Sequence, residues 1–391
     1  MTDHYDPYGY GCDAEQSATR GDVGQRQQHH SMTPLQVSLR AIQANIDAGD
    51  HITAAKASGL MVGYDARWRD SGWRAISLEE TVQLPIVNPQ TGKTSRTWTQ
   101  AGKFDGVATY GGRPFLLEHK TTTEDISNPD APYWRRLAID SQVYFLQNWQ
   151  HGRRLEGCLY DVIRKPTIRP KDIAKATLAR IVSEGTYCGQ KLPDHLRQAV
   201  ANGQSRECPE LYGIRLAADT LEKPDKYFAR RNVPRLDNEV VEWAQELWDV
   251  ARDIREASNR DAHYRNSHTC MQYGRPCEFL GICSGHDEPD SDRWKRRENV
   301  HIELDGIDGD SRKVLTHSRV KCFQACRRKH QLRYELGIER VEEEEKEALY
   351  FGSVFHAALE AWWSCYLEKE NGEGSHSASE ADRHDSQAMD A

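Results

Sequence analysis

The stretch GKFDGVATYGGRPFLLEHKTTTED constrains this chain more than any other. It predicts two strands, Gly102 to Tyr110 and Arg113 to Thr121, joined by a two-residue Gly111-Gly112 turn. In such a hairpin the numbers of paired residues share a constant sum. Tyr110 then faces Arg113, Val107 faces Leu116, and Asp105 falls opposite Glu118, with Lys120 two residues further along the same face. Opposed like charges weaken a sheet. A fold that keeps Asp105 beside Glu118 is therefore expected to use them to hold a hard divalent cation.

On that reading each strand supplies one carboxylate to Mg²⁺ or Mn²⁺, and the backbone carbonyl of His119 adds a further oxygen. Lys120 orients a water or steadies negative charge developing on a phosphate. The plainer reading is a surface hairpin with solvated Asp105 and Glu118 and a lysine paired to one of them. Spacing alone leaves both open.

The chain has 391 residues, 38% hydrophobic and 29% charged, enough for one large domain or two smaller ones. No window approaches the roughly 18 unbroken apolar residues of a membrane span, and the N-terminus lacks a basic-then-apolar leader. A cytoplasmic location and no membrane partner are expected. The net charge of -8 argues against coating nucleic acid with the whole surface, yet leaves room for a local basic groove. Basic clusters occur at Trp134-Arg135-Arg136, Arg153-Arg154, Arg230-Arg231, Trp294 to Arg297 and Arg327-Arg328-Lys329. Each reads equally well as a solvated face balanced by nearby acids.

Ten cysteines exceed what core packing needs, and disulfides are not expected in the cytoplasm. Cys270, Cys277 and Cys283 are grouped in YRNSHTCMQYGRPCEFLGIC, at intervals that let three thiolates wrap one soft metal centre with a fourth ligand from elsewhere. A zinc site using His268 competes. His356, in FGSVFHAALEAWW, shares a helix face with Gly352, Leu359, Glu360 and Trp363. Alone it reads as a packed helix histidine.

Residues 1–33 are expected to be a disordered tail by composition. Two helices are predicted between Pro34 and Trp73, and a strand from Ile76 to Pro85. After the hairpin come a helix Ala138 to Trp149, a strand Leu155 to Ile163 and a helix Ile173 to Val182. Asn238 to Ala257 is predicted as an amphipathic helix with Val241, Trp243, Ala244, Leu247, Trp248 and Ala251 on its apolar side. Gly285 to Arg297 looks like polar linker. Two further helices are predicted, Ser318 to Glu335 and Leu349 to Tyr366, and the chain beyond Glu368 is expected to be a second disordered tail.

Together these motifs resemble the RecB-like, AddB-like branch of the PD-(D/E)XK nucleases, including CRISPR-associated exonucleases with an iron-sulfur cluster. GKFDGV followed by LLEHKTT is similar to the family's metal-binding Asp and its E-x-K, which implies catalytic roles for Asp105, Glu118 and Lys120. IDSQVYFL resembles the next helix, whose motif glutamine is here Gln142. The family's tyrosine four residues on is Leu146 here, with Tyr144 the nearest. THSRVKCFQACRRKHQLRYELGI resembles the segment that opens such domains and carries the upstream cysteine, here Cys326. FGSVFHAALE resembles the helix with a metal-ligating histidine, here His356.

The resemblance implies an α/β, restriction-endonuclease-like core, a small central mixed sheet flanked by helices, with a Cys-rich appendix. It implies a [4Fe-4S] cluster on Cys270, Cys277, Cys283 and Cys326, with Zn²⁺ as the alternative, and Mg²⁺ or Mn²⁺ on Asp105, Glu118, the His119 carbonyl and His356. The implied activity is hydrolysis of DNA at ends or in single strands during repair, recombination or defence, alongside a helicase or recombination partner. A non-catalytic DNA-binding module stapled by its metal centre is the alternative. Arg135, Arg136, Arg327 and Arg328 are candidate phosphate contacts.

The order of the motifs departs from the family, because Cys326 and His356 follow the hairpin instead of preceding it. The expected organisation is a nuclease core over 34–285, a linker over 286–313, a helical segment over 314–367 that completes the domain, and a tail over 368–391. A circular permutant is the favoured explanation. A swapped homo-oligomer and a fusion of parts that never assemble are the others.

Overall fold

The computed structural model describes residues 32–140, 155–272, 274–301, 304, 309–341 and 347–367. Residues 1–31 and 368–391 of the two compositional tails, Arg153-Arg154, and Gln142 with Tyr144 and Leu146 lie outside these residues, whereas Thr33, the last residue of the predicted first tail, is ordered as a helix cap.

The chain opens with α1 (Pro34–Ala44), started by a Thr33 capping box in which the Thr33 side chain takes the Gln36 N–H and Gln36 returns the bond. Next is α2 (His51–Trp68). Three antiparallel strands follow: β1 (Arg74–Val87), β2 (Thr94–Tyr110) and β3 (Arg113–Thr122). The Gly111-Gly112 turn has both φ angles positive, 57° and 74°. Those are the left-handed values a type I′ turn demands, and glycine adopts them without steric penalty.

Next along the chain is α3 (Pro132–Asp140), then β4 (Cys158–Arg164), which lies parallel to β3. A small satellite core around Ile173, Ile181, Tyr187, Leu192 and Leu196 follows. It leads into α4 (Pro209–Glu222) and β5 (Phe228–Val233), antiparallel to β4. The sheet order is therefore β1-β2-β3-β4-β5, with a short β6 (Val314–Leu315) running parallel to β2 at Thr99 and Gln100.

Helices cover both faces. On one, α5 (Asp237–Asn259) lays Val240, Trp243, Ala244, Leu247, Ala251 and Ile254 against Phe104, Leu116, Tyr160 and Val162, with Tyr133, Trp134 and Leu137 of α3 beside them. Val241, predicted on the apolar side, is 44% exposed, because the buried stripe is centred on Val240 and Ala244. On the other face, α1, α2 and α4 pack against Ala108, Phe115, Leu117, Leu159 and Ile163.

The C-terminal part joins both layers. After β6 come α6 (His317–Ala325), a short α7 (Arg327–His330) and a π turn, Gln331–Glu335. The single helix predicted over Ser318 to Glu335 is thus interrupted at Cys326, whose backbone is extended (φ -161°, ψ 115°). The polar stretch read as linker is partly structured: Trp294–Arg296 pairs with Ile338–Arg340 over a small core of Phe279, Ile282, Trp294, Leu332 and Ile338. The last helix, α8 (Glu347–Ser364), buries Phe351, Val354, Phe355, Leu359, Trp362 and Trp363 among the residues of α1, α2 and the sheet. Among the described residues no helix is long and apolar enough to cross a membrane.

Candidate active site

The predicted hairpin register holds from Tyr110–Arg113 down to Gly106–Leu117, and there the ladder ends. The pairing extrapolated to Asp105 and Glu118 is not continued. Instead Asp105 turns a carboxylate oxygen inward to accept the His119 backbone N–H at 2.5 Å. The two strands part here, and Asp105 bridges the opening. Gly106, next to it, has no room for a side chain: a Cβ would stand 2.6 Å from the Ser77 carbonyl oxygen of β1.

Alternation along β3 sorts its residues onto opposite faces. Leu116 belongs to the α3/α5 face and Leu117 to the α1/α2 face. Glu118 and Lys120 follow Leu116, and His119 follows Leu117. Glu118 is buried and forms an ion pair with Lys120. Burial alone would lower the Lys120 pKa, but the adjacent Glu118 and Asp105 carboxylates outweigh it and hold the ammonium above its usual value. Tyr133 of α3 sits at this point too, pushed up to about 12 by burial, with Lys120 and Thr122 as neighbours.

From the opposite face α8 delivers His356. Its Nδ1 lies 3.8 Å from Asp105 Oδ1, and its ring meets the His119 ring edge-on at 6.1 Å between centroids. Burial, with His119 and Lys120 close by, pushes His356 down to about 4, so its imidazole is neutral at pH 7. A neutral imidazole can ligate a metal, whereas a protonated one cannot.

The donor set of two carboxylates, a backbone carbonyl and a neutral imidazole suits a hard to borderline divalent cation. Two ligands of one Mg²⁺ stand roughly 3 Å apart when adjacent and about 4 Å when opposite. The Asp105–His356 separation of 3.8 Å fits within that span. Among the described residues, no three or more His, Cys, Asp or Glu side chains are already gathered as a metal-holding group, here or at the cysteines.

Cys270, Cys277, Cys283 and Cys326 are free thiols. The Cys277 N–H donates to the Cys270 carbonyl at 2.7 Å. Cys277 and Cys283 border the small core under Trp294. The Cys270 thiol is 3.8 Å from the Asn266 carbonyl, and Asn266 in turn donates its side-chain amide to the Ala325 carbonyl at 2.8 Å, next to Cys326. Cys326, Asn266, Tyr264, Phe323 and Arg327 line a cavity of about 460 Å³. The two distant segments thus meet at Asn266 and Ala325. Cys322, one turn before Cys326, is pushed up to about 11 by burial.

The basic clusters are mostly occupied locally. Arg136 pairs with Glu124 at 3.0 Å, Arg296 with Asp290 at 2.9 Å, and Arg297 with Glu339. Arg327 stacks on Tyr264 and Phe323, and Arg328 bonds Gln331. Arg230, grouped with Arg231 as a basic patch, has a side chain only 5% exposed and pairs with Asp161. Motif reading missed that pair. Its signal was a lone acid in the apolar strand LYDVI.

A small mixed sheet flanked by helices, with an acidic hairpin that splits at its base, is a restriction-endonuclease-like core. Residues 314–390 match the family model of the PD-(D/E)XK nuclease superfamily, a class of hydrolases that act on nucleic acids. The matched segment contains Cys326 and His356 and leaves out Asp105, Glu118, Lys120, Gln142 and the three grouped cysteines. No curated protein and no solved structure matches the chain.

Proposed function

We propose that this chain is a metal-dependent deoxyribonuclease of the RecB-like branch, cutting phosphodiester bonds at ends or in single strands in repair, recombination or defence. The observation that carries the reading is the convergence, within one chain, of an E-x-K hairpin and the histidine of the family-matched segment: His356 Nδ1 lies 3.8 Å from Asp105 Oδ1. Asp105, Glu118, His356 and the His119 carbonyl would hold Mg²⁺ or Mn²⁺. When bound, such an ion supplies Lewis acidity, polarising the phosphate and lowering the pKa of a water. Lys120 enters as a cation, orienting the nucleophilic water and neutralising charge on the phosphate. Gln142 is assigned to support of the site or of the substrate strand, and Arg135 and Arg136 to phosphate contacts. The permuted motif order, on this proposal, completes one site in cis.

Treatment with EDTA is expected to lower cleavage of linear DNA by at least ~100-fold, and added Mg²⁺ or Mn²⁺ to restore it. Cleavage unchanged by chelation overturns the reading. Because the family-matched segment leaves out Asp105, Glu118 and Lys120, the second reading is the non-catalytic DNA-binding module. Binding of DNA without cutting under either metal would select it.

For the cysteines we propose a [4Fe-4S] cluster on Cys270, Cys277, Cys283 and Cys326 that pins the late segment to the core. Thiolate ligands at this number suit it, and equally suit Zn²⁺. Anaerobic purification is expected to give about four iron and four sulfide per chain. Zinc without sulfide would replace the cluster by the alternative.

A further inference from the structure

Beneath the hairpin lies a charged network that the proposed chemistry does not use. Asp161 of β4 is the register neighbour of His119 on one side and of Arg230 on the other. Its Oδ2 accepts from Arg230 Nη2 at 3.2 Å, accepts from the Tyr64 hydroxyl of α2, and stands 3.4 Å from His119 Nδ1. Arg230 Nη2 also donates to the Tyr64 oxygen at 2.8 Å, and Trp363 Nε1 of α8 does so at 3.1 Å. The Arg230 guanidinium lies over Trp68 at 4.3 Å and over Trp363 at 4.9 Å. Tyr64, Asp161 and Trp363 are fully buried and His119 nearly so.

Such a network is a poor way to gain stability, since a buried ion pair of this kind is often matched or bettered by apolar residues of the same volume. What it provides is direction. Two of its contacts reach the groups around the hairpin: Asp161 Oδ2 stands 3.4 Å from His119 Nδ1, and Trp363 of α8 donates to Tyr64 at 3.1 Å. His119 joins the two parted strands through its N–H to Asp105, and α8 carries His356. The network side chains gather on the face of His119 and α8, the one from which His356 enters, and not on that of Glu118 and Lys120.

We infer that Tyr64, Asp161 and Arg230 are positioning residues: they fix His119, and through it the spacing of Asp105 from His356. The inference rests on the nuclease reading for its functional meaning, and on the network's own geometry for its structural claim.

The test compares Tyr64→Phe and Asp161→Asn with the parent chain. Both variants keep volume: Tyr64→Phe removes the hydroxyl that donates to Asp161 and accepts from Arg230 and Trp363, and Asp161→Asn removes the charge that faces Arg230 and His119. They are expected to melt cooperatively, to bind Mn²⁺ alone (by calorimetry) roughly 10- to 100-fold more weakly, and to lose kcat by a similar factor with KM within about twofold. Amide hydrogen exchange of residues 117–121 should quicken in both. Folded variants with parental Mn²⁺ affinity, kcat and exchange overturn the inference, and so does loss of folding in both, which would make the network a stability element. A parent chain that binds Mn²⁺ through Glu118 yet cuts no DNA would fail the nuclease reading alone, leaving the Mn²⁺ and exchange measurements to decide the positioning role.

Discussion

Glu118→Gln is expected to lower metal-dependent cleavage by roughly 10²- to 10³-fold while leaving a cooperative melt. The substitution keeps the side chain's shape and removes its charge, so lost activity reports electrostatics and not packing. Glu118 is nearly buried and paired with Lys120, and a second carboxylate, Asp105, lies close enough to act on the same ammonium. Charge removed at such a site is felt strongly because little water screens it. Asp105→Asn provides the companion measurement, because an amide oxygen can still accept the His119 N–H that now goes to Asp105 at 2.5 Å. It should therefore keep the strands where they are and still lose cleavage. Lys120→Ala separates the lysine's part: its side chain is one-third exposed, so the fold is expected to tolerate the change while the rate falls. Single-turnover rates on end-labelled linear DNA in Mg²⁺ and in Mn²⁺ decide it. Retention of more than about one-tenth of the parental rate by both Glu118→Gln and Lys120→Ala would remove the hairpin from the catalytic role.

The hairpin was legible because everything that sets it is local. A Gly-Gly turn fixes the register, and the register runs as counted from Tyr110 to Gly106. Counting fails one residue later, since nothing in the local pattern says that the strands part and that Asp105 bonds the His119 backbone. Apolar spacing placed Ile173 to Val182, Asn238 to Ala257 and Leu349 to Tyr366 within a few residues of the observed Lys175–Glu184, Asp237–Asn259 and Glu347–Ser364. It missed Asp194–Ala201 and Pro209–Glu222, and also the interruption at Cys326, because an extended residue between two helical turns has no periodic signature. The network around Asp161 shows the limit most clearly. Its members come from α2, β4, β5 and α8, far apart in the chain, and each alone reads as an ordinary residue: Tyr64 as helix core, Arg230 as half of a basic pair, Trp363 as an aromatic face. Only the sheet order, which sets β4 between β3 and β5, brings them together.

The same long-range dependence predicts that a chain ending before α8 does not fold. Phe351, Val354, Phe355, Ala358, Leu359, Trp362 and Trp363 are each at most 3% exposed, and they fill the layer between α1, α2 and the sheet. Burial of a large apolar side chain contributes about 1.5–3 kcal/mol, an upper figure because the unfolded chain already buries part of it. Their sum is comparable to or larger than the 5–15 kcal/mol that holds a typical domain. Two directional bonds go with them, Trp362 Nε1 to Asp65 at 2.9 Å and Trp363 Nε1 to the Tyr64 oxygen at 3.1 Å. Removal of α8 would leave Asp65 and Tyr64 short of a partner inside an opened core, so circular dichroism of the truncated chain should show no cooperative urea transition. A truncated chain that melts like the parent would show that the late segment is an appendage. Mixing then asks whether one chain supplies both halves of the site. His356→Ala and Glu118→Gln proteins, unfolded and refolded together, should remain inactive if His356 serves the hairpin of its own chain. Recovered cleavage would mean that α8 is exchanged between subunits, because only then does a mixed pair hold one site with both residues intact.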